Sequence, residues 1–393
     1  MNVALPSVAV LSTYVPRRCG LATFAHDVVT ALQEQAYVTS VVAVNDSHGR
    51  HEYGPEVCLQ IDQDEGHDYL RLADTINDGP YDVVSVQHEY GVFGGRDGSH
   101  LLVLLKRLQK PVVTTLHTLL RDPTPGQRAV LMEVCRLSEI VIVMSQRAKI
   151  WLRELYDVPL GSIRVIPHGA PDVPFQETEP GKQRLGMSGR PTILTFGLLA
   201  PGKGVEIVLE ALNRLAPEFP QVLYTLVGVT HPGVVRRSGE RYRESLETLA
   251  SSLGIHDNVN FVNRYVSLAE LRDYLLASDV YVTPSASREQ IVSGTLTYAL
   301  VTGRAIVSTP YWYAQELLEN GRGLLFDFGD VDHLTRQLRA LLRDEEYREQ
   351  VRLAAYAHGR GMIWSAAGRR YADAFTEARH HPSAEGTLLQ ATT

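Results

Sequence analysis

Residues 287–300 read SREQIVSGTLTYAL. Glu289 stands four residues before Ser293, Gly294 and Thr295, and an apolar, helix-like run follows. Small residues at a helix start let an anion reach backbone N–H groups. An ionised carboxylate only accepts hydrogen bonds, so Glu289 suits the hydroxyls of a sugar rather than a phosphate. An acid beside an anion site fits a sugar phosphate or a nucleotide sugar. The plainer alternative is an acid that favours the helix dipole, worth about 0.3–1 kcal/mol and needing no ligand.

A second stretch with chemistry is TFGLLAPGKGVEIVLEAL. Gly197 closes a strand, Pro201-Gly202 makes a turn, and Lys203 opens an amphipathic helix marked by Val205, Val208, Leu209 and Leu212. A lysine beside free N–H groups suits a phosphate or diphosphate; an exposed lysine near a helix start is the alternative. The Walker pattern G-x-x-x-x-G-K-[ST] is absent. In the first half, RRCGLATFAHDV follows a strand and opens a helix. Arg17 and Arg18 add positive charge there. Gly20 and Leu21 either form a tight strand-to-helix turn or offer N–H groups to an anion or sugar oxygen.

Gln87, His88 and Glu89 are polar side chains at a strand end, with glycines just beyond. They suit acid–base work or hydroxyl binding, against the alternative of a solvated loop. They lack a partner His or Cys at helpful spacing, so no metal site is expected. His117 ends VVTTLH and is a candidate donor to a substrate hydroxyl, or else a satisfied structural residue. His168 ends VIPH, where a hinge role competes with a ligand role.

The chain that must position these residues has 393 residues, which suits two domains of ordinary size. Its 44% apolar and 21% charged residues are those of a soluble globular protein. Net charge is −7, which counts against nucleic acid as a partner. Cys19, Cys58 and Cys135 are odd in number and widely spaced, without the pattern of a disulfide framework or a zinc site. A reducing, cytoplasmic setting is expected, with no signal peptide. No run of about 18 apolar residues spans a membrane; peripheral membrane contact stays open.

Short apolar, β-rich runs at 8–12, 38–44, 83–87, 112–116, 140–144 and 164–167 alternate with helical patterns such as 21–35 and 101–108. Continuous apolar strands separated by helices indicate a parallel sheet covered on both faces. The pattern stops in a Pro-, Gly- and charge-rich stretch, then restarts with strands at 192–196, 223–227, 259–262, 280–283, 305–308 and 324–326. Helices at 205–215 and 240–253 fall between them. The fold class is therefore α/β: two Rossmann-like, doubly wound domains facing a central cleft. The predicted boundaries are an N-terminal domain at 1–172, a linker at 173–190, a C-terminal domain at 191–363, a helix at 364–379 and a disordered tail at 380–393.

Together these stretches resemble the GT-B glycosyltransferases, specifically the retaining glycosyltransferase family 4, over residues 7–375. GLLAPGKG looks like that family's G-R-L-x-x-x-K-G phosphate loop. VIPHGAPD is similar to its V-I-P-N-G-V-D hinge entry, and SREQIVSGTLTYALVTGRAIVST to its E-x7-E region. The resemblance implies a nucleotide-diphosphate sugar as donor, bound by the second domain, and a carbohydrate or glycolipid acceptor on the first. It also implies that the last helix returns to the first domain, and that the domains close about a hinge strand at 167–174. Carried over by position, Glu289 holds sugar hydroxyls, His117 contacts the donor sugar, and Lys203 binds the diphosphate. Gly20 lies near the donor phosphates and sugar, Arg264 and Tyr265 lie by the nucleobase, and Arg17, His88, Glu89 and His168 lie on the acceptor and sugar side.

Two departures stand out. Leu198 replaces the arginine that accompanies the lysine, and Thr297 or Tyr298 replaces the second glutamate, which binds ribose. Arg17, Arg18, Arg264 and Arg288 are candidates for the missing charge. The implied activity is retaining transfer of a hexose, mannose or glucose, by front-face substitution. Ser293-Gly294-Thr295 is also similar to the phosphate segment of GT-B glycogen phosphorylases, which makes a phosphorylase the alternative. Their pyridoxal phosphate lysine motif has no counterpart, so that cofactor is not expected. A non-catalytic sugar- or nucleotide-binding protein is the third reading.

Overall fold

The computed structural model describes residues 5–46 and 51–380. It divides into two units: one ends at Gly169 and resumes at Trp364, the other is Ala170–Ile363. Unit 1 holds β1 (Ser7–Ser12), β2 (Val38–Asn45), β3 (Val57–Asp62), β4 (Val83–His88), β5 (Val112–Leu116), β6 (Ile140–Val143) and β7 (Ile163–Val165). They form one parallel sheet in the order β3-β2-β1-β4-β5-β6-β7. Unit 2 holds β8 (Thr192–Phe196), β9 (Leu223–Val227), β10 (Val259–Val262), β11 (Val280–Thr283), β12 (Ala305–Ser308) and β13 (Leu324–Leu325). Its parallel sheet runs β10-β9-β8-β11-β12-β13.

Both sheets reverse their winding once, at β1/β4 and at β8/β11. Right-handed crossovers place helices on both faces of such sheets, so the inner strands are covered twice and read as continuous apolar runs. β4, β5, β6, β9 and β12 are buried at every position. The α/β, doubly wound expectation holds in both units. Strand β3 is missing from the sequence reading because it is an edge strand whose side chains alternate between partly buried and exposed. VCLQID carries no continuous apolar run to reveal it.

The helix Val205–Leu215 stands where its apolar spacing predicts, with Val205, Val208, Leu209 and Leu212 buried. The stretch 173–190 is not a bare linker. It carries the short helix Glu179–Arg184, part of unit 2. Gly181 there meets the backbone of Ala277 so closely that a Cβ would lie 2.7 Å from its nitrogen. Lys182 is buried and reaches the Asp279 carboxylate at 2.7 Å. Asp279 also accepts from Thr192 N at 2.7 Å and the Thr178 hydroxyl at 2.9 Å.

In unit 1 the last helix, Trp364–His380, lies on the first, Gly20–Glu34. Gly368 permits that approach: a Cβ there would sit 2.9 Å from the Ala31 Cβ. The Tyr37 hydroxyl donates to Ala372 O at 2.9 Å, which ties the helix to the turn before β2. His380 is the last residue of this helix, not the first of a tail, and residues 381–393 lie outside the described residues. No described helix is long and apolar enough to cross a membrane.

Removing one partner of the buried Lys182–Asp279 pair strands a charge inside unit 2. Lys182→Met is expected to cost about 3–5 kcal/mol. A urea titration of wild type and variant reads this directly, and superimposable curves would show that the pair contributes nothing.

Candidate functional site

Ligands of doubly wound sheets bind beyond the carboxyl ends of the strands, where the winding reverses. In unit 2 that place is the end of β8 and β11, with β9 alongside. Three loops meet there. The loop after β8 is bonded to the loop after β9 through Leu199 N to Val229 O at 2.9 Å and His231 N to Leu199 O at 2.8 Å. It is bonded to the loop after β11 through Ala286 N to Gly202 O at 2.9 Å. Glycines make this possible. A Cβ on Gly228 would stand 2.1 Å from Gly197 O, and one on Gly204 2.1 Å from Pro284 O. Gly204 adopts φ +73 as it starts the helix Val205–Leu215.

Lys203 is an exposed residue on this loop, yet protein packed about its ammonium lowers its pKa below the ordinary lysine value. The helix Gly294–Val301 starts beside the Gly197 end of this loop, with Thr295 Cγ2 3.4 Å from where a Gly197 Cβ would be. Ser293 caps this helix by accepting from Leu296 N at 3.3 Å, and Thr297 N bonds Ser293 O at 3.0 Å. The N–H groups of Gly294 and Thr295 are left at the open end, where a helix favours an anion. Glu289 lies exposed on the turn just before. Trp312 N to Arg288 O at 3.2 Å and Tyr313 N to Gln290 O at 3.1 Å pin that turn on both sides. Among the described residues Glu289 makes no ion pair.

Unit 1 has a different character at its winding reversal. His88 ends β4, is 1% exposed, and stacks on Phe93 at 6.2 Å. Burial lowers its pKa to about 4, and its Nδ1 has no hydrogen-bond partner among the described residues. Ser12 Oγ, at the end of β1, is buried and unpartnered too. Glu89 accepts from the Thr118 hydroxyl at 2.6 Å, and burial raises its pKa.

Burial, with smaller repulsion from His168 and His88, lowers the His117 pKa to about 3. His117 Nε2 lies 2.9 Å from Gln87 Oε1. The Gln87 amide nitrogen donates to Ser85 Oγ at 3.3 Å, which turns its oxygen to the imidazole. His117 is thus neutral with its proton on Nε2, and its Nδ1 accepts rather than donates, the reverse of the donor role expected from sequence. His168 Nδ1 donates to Gly169 O at 2.7 Å, and burial lowers its pKa to about 4. Phe24 edges onto both rings, at 4.6 Å from His117 and 4.9 Å from His168. Gly169 is held by packing: a Cβ would lie 2.2 Å from the Trp364 ring.

The helix Gly20–Glu34 opens by the end of β1. Cys19 Sγ accepts from Ala22 N at 3.4 Å, so the N–H groups of Gly20 and Leu21 stay without an acceptor among the described residues. Gly20 has no left-handed φ, and a Cβ on it would meet nothing within 4 Å. The turn does not need glycine there, which favours the reading of close ligand approach over the tight turn.

Several predicted residues are committed elsewhere. Arg17 pairs with Asp46 at 3.0 Å, and Arg264 with Glu270 at 2.7 Å. Arg288 stacks over Phe328 at 5.4 Å, and Tyr265 is exposed beyond β10. Thr297 is fully buried, donating to Ser293 O at 2.9 Å with Tyr313 OH at 3.0 Å, which removes it as a ribose contact. Tyr298 is 9% exposed and packs 6.4 Å from Phe196. The sequence reading missed His231, Arg236 and Arg237, which follow β9 in THPGVVRRSG. Two adjacent arginines on the first helix after a strand were the available signal. It also missed Asp327, Asp330 and His333, whose ligand atoms lie within 4.8 Å of one another. Those groups bond locally: Asp330 caps a helix through His333 N at 2.7 Å, and His333 bonds Asp327 at 3.2 Å.

Two family descriptions match the chain: Glycosyltransferase Family 4 over residues 19–172 and Glycosyl transferases group 1 over residues 177–358. A D-inositol 3-phosphate glycosyltransferase of Nocardioides sp. is 26% identical over 323 residues, 77% of this chain and 68% of that protein. A GDP-mannose-dependent alpha-(1-6)-phosphatidylinositol monomannoside mannosyltransferase of Mycolicibacterium smegmatis is 25% identical over 233 residues, 56% of this chain and 57% of that one. Among solved structures, Anabaena HepE in complex with UDP has a TM-score of 0.74 at 17% identity, covering 95% of this chain and 100% of that one. At that identity the likeness bears on fold.

Two outcomes follow from the unit 1 geometry. An unfolded histidine protonates near pH 6.5, whereas buried His88 stays neutral to about pH 4. Its contribution to stability is therefore complete above pH 6.5 and is lost as pH falls towards 4, by about 1.4 kcal/mol per pH unit. Urea midpoints measured from pH 7 to 4.5 should fall less steeply in His88→Gln than in wild type; equal slopes would show that His88 titrates normally. Gly20→Ala should leave thermal stability within about 0.5 kcal/mol, while a larger loss would return Gly20 to a structural role.

Proposed function

The chain belongs to glycosyltransferase family 4 and has the GT-B fold, and from that premise we propose that it is a retaining hexosyltransferase using a nucleotide-diphosphate sugar. The observation that carries this reading is the meeting of three loops in unit 2. It gathers Lys203, the open N–H groups of Gly294 and Thr295, and the pinned turn bearing Glu289. A cation and two backbone donors suit a diphosphate, and a carboxylate accepting hydroxyl hydrogens suits the sugar next to it.

In the proposed reaction the bond from the anomeric carbon to the diphosphate oxygen breaks, and a bond to the acceptor oxygen forms on the same face. The acceptor's proton passes to the departing diphosphate. Lys203 and the Gly294 and Thr295 N–H groups stabilise the charge that grows on that leaving group. Glu289 fixes the sugar through its hydroxyls, and neutral His117 accepts a hydroxyl hydrogen at Nδ1. Gly20 and Leu21 offer two further N–H groups. His88 and His168 stand as neutral rings, and Glu89 is a carboxyl whose pKa burial raises, all suited to hydrogen bonding with hydroxyls.

Mannose or glucose is the proposed sugar and a carbohydrate or lipid-linked polyol the proposed acceptor. Two relatives named for inositol phosphate and phosphatidylinositol mannoside support the acceptor in kind. With Thr297 buried, nucleotide selection falls to backbone near Arg264 and Tyr265. Three free cysteines favour a reducing, cytoplasmic setting.

Calorimetric titration with UDP, GDP, ADP and orthophosphate, each with magnesium, tests the donor. One nucleotide should bind at micromolar concentration, and phosphate binding without any nucleotide would replace transfer by phosphorolysis. With the donor so identified, Glu289→Ala and Lys203→Ala should each lower turnover about 100-fold or more. Wild-type turnover in both would end these role assignments.

A further inference from the structure

Three cations surround one histidine on the wall of the unit 2 site. A backbone hydrogen bond joins His231 N directly to Leu199 O, on the loop that carries Lys203. The short helix Pro232–Ser238 then presents Arg236 and Arg237, both exposed. The Arg236 guanidinium folds back over this turn, with Nη2 3.9 Å from where a Cβ on Gly233 would be; His231 Nδ1 is 3.2 Å from the same point. Among the described residues Lys203, Arg236 and Arg237 make no ion pair, whereas Arg17 and Arg264 do. A chain of net charge −7 thus leaves three cations unpaired in one corner.

The carboxylate of that corner is engaged. Glu240 accepts from the Thr230 hydroxyl and lies 3.6 Å from Arg243 Nε. Arg243 is 2% exposed and donates to Gly228 O at 2.6 Å, with its Nη1 unpartnered, so a further positive charge underlies the loop after β9. His231 Nδ1 accepts from Gly233 N at 3.0 Å, which fixes the neutral ring with its proton on Nε2. Its pKa is lowered by burial first, then by Arg236, Arg237 and Lys203, an arrangement that repels further protons until an anion arrives.

We infer that Arg236 and the Nε2–H of His231 form a second wall of the anion site, gripping a diphosphate opposite Lys203. The inference rests on the nucleotide-sugar reading above and adds the residues on which the leaving group's charge falls. Cations without ion-pair partners, on two loops held in fixed register, have no salt bridge to break when a dianion enters. Arg237 adds to the field from the same turn.

The test titrates inorganic pyrophosphate, UDP, GDP and ADP into wild type, Arg236→Ala, Arg236→Lys and His231→Ala. Arg236→Ala should weaken whichever of these probes bind by about tenfold or more, with Arg236→Lys within about threefold of wild type and His231→Ala between them. Melting temperatures of the two Arg236 variants should match wild type, since that side chain is exposed, whereas His231→Ala also loses the cap on Gly233 N and is read by its affinity relative to its own folded fraction. Unchanged affinity in Arg236→Ala overturns the inference and leaves the donor reading standing. Pyrophosphate binding that depends on Arg236, with no nucleoside diphosphate bound, upholds the inference and removes the donor reading. Wild type that binds none of the probes removes both.

Discussion

In a parallel sheet the chain must cross back over a face to start each new strand, and right-handed crossovers fix which face it takes. When the order of strands reverses about a central pair, the segments leaving that pair depart to opposite faces. Nothing covers the gap between them at the carboxyl edge. This chain does that twice, at β1/β4 and at β8/β11. The residues that could do chemistry lie largely in the loops that leave those strands or their neighbours. The helix starts at Gly20 and Gly294 are brought there for the same reason, since each helix is the crossover that follows β1 or β11.

The two reversals differ in charge. At β1/β4 the polar groups are imidazoles held neutral by burial and a carboxyl whose pKa burial raises. Neutral rings wedged against Phe24 and Phe93 can exchange hydrogen bonds with hydroxyls but add little charge. At β8/β11 the corner is cationic, with a buried arginine beneath and two open N–H groups at a helix start. One surface therefore suits uncharged, hydroxyl-rich matter and the other an anion. That division follows from side-chain type and burial.

Much of this was legible because parallel strands buried on two faces write long apolar runs. The inner strands of unit 2 can be read that way, and the helix Val205–Leu215 from its apolar spacing. Edge strand β3 cannot, because Cys58 and Gln60 face solvent within it. The helix Glu179–Arg184 hid in a Pro- and Gly-rich stretch, since its stability comes from Gly181 packing and the Lys182–Asp279 pair rather than from local periodicity. At the site, Glu289, Lys203 and the Ser293–Thr295 start were readable from type and spacing. The partners of the charged groups were not. Arg17 and Arg264 look as available as Arg236 in sequence, and only the positions of Asp46 and Glu270 separate them. The His117 tautomer likewise depends on how Gln87 is turned, which no spacing encodes.

The close passage of Gly197 and Gly228 has a consequence for building chimaeras. Because one loop's carbonyl occupies the space where the other's side chain would be, neither loop can be exchanged alone. Gly204 binds the third loop into the same constraint through Pro284. The three segments behave as one transplantable cassette. A graft from a relative that carries residues 197–204 without 228–232 and 284–293 would import a backbone path that its new neighbours already fill.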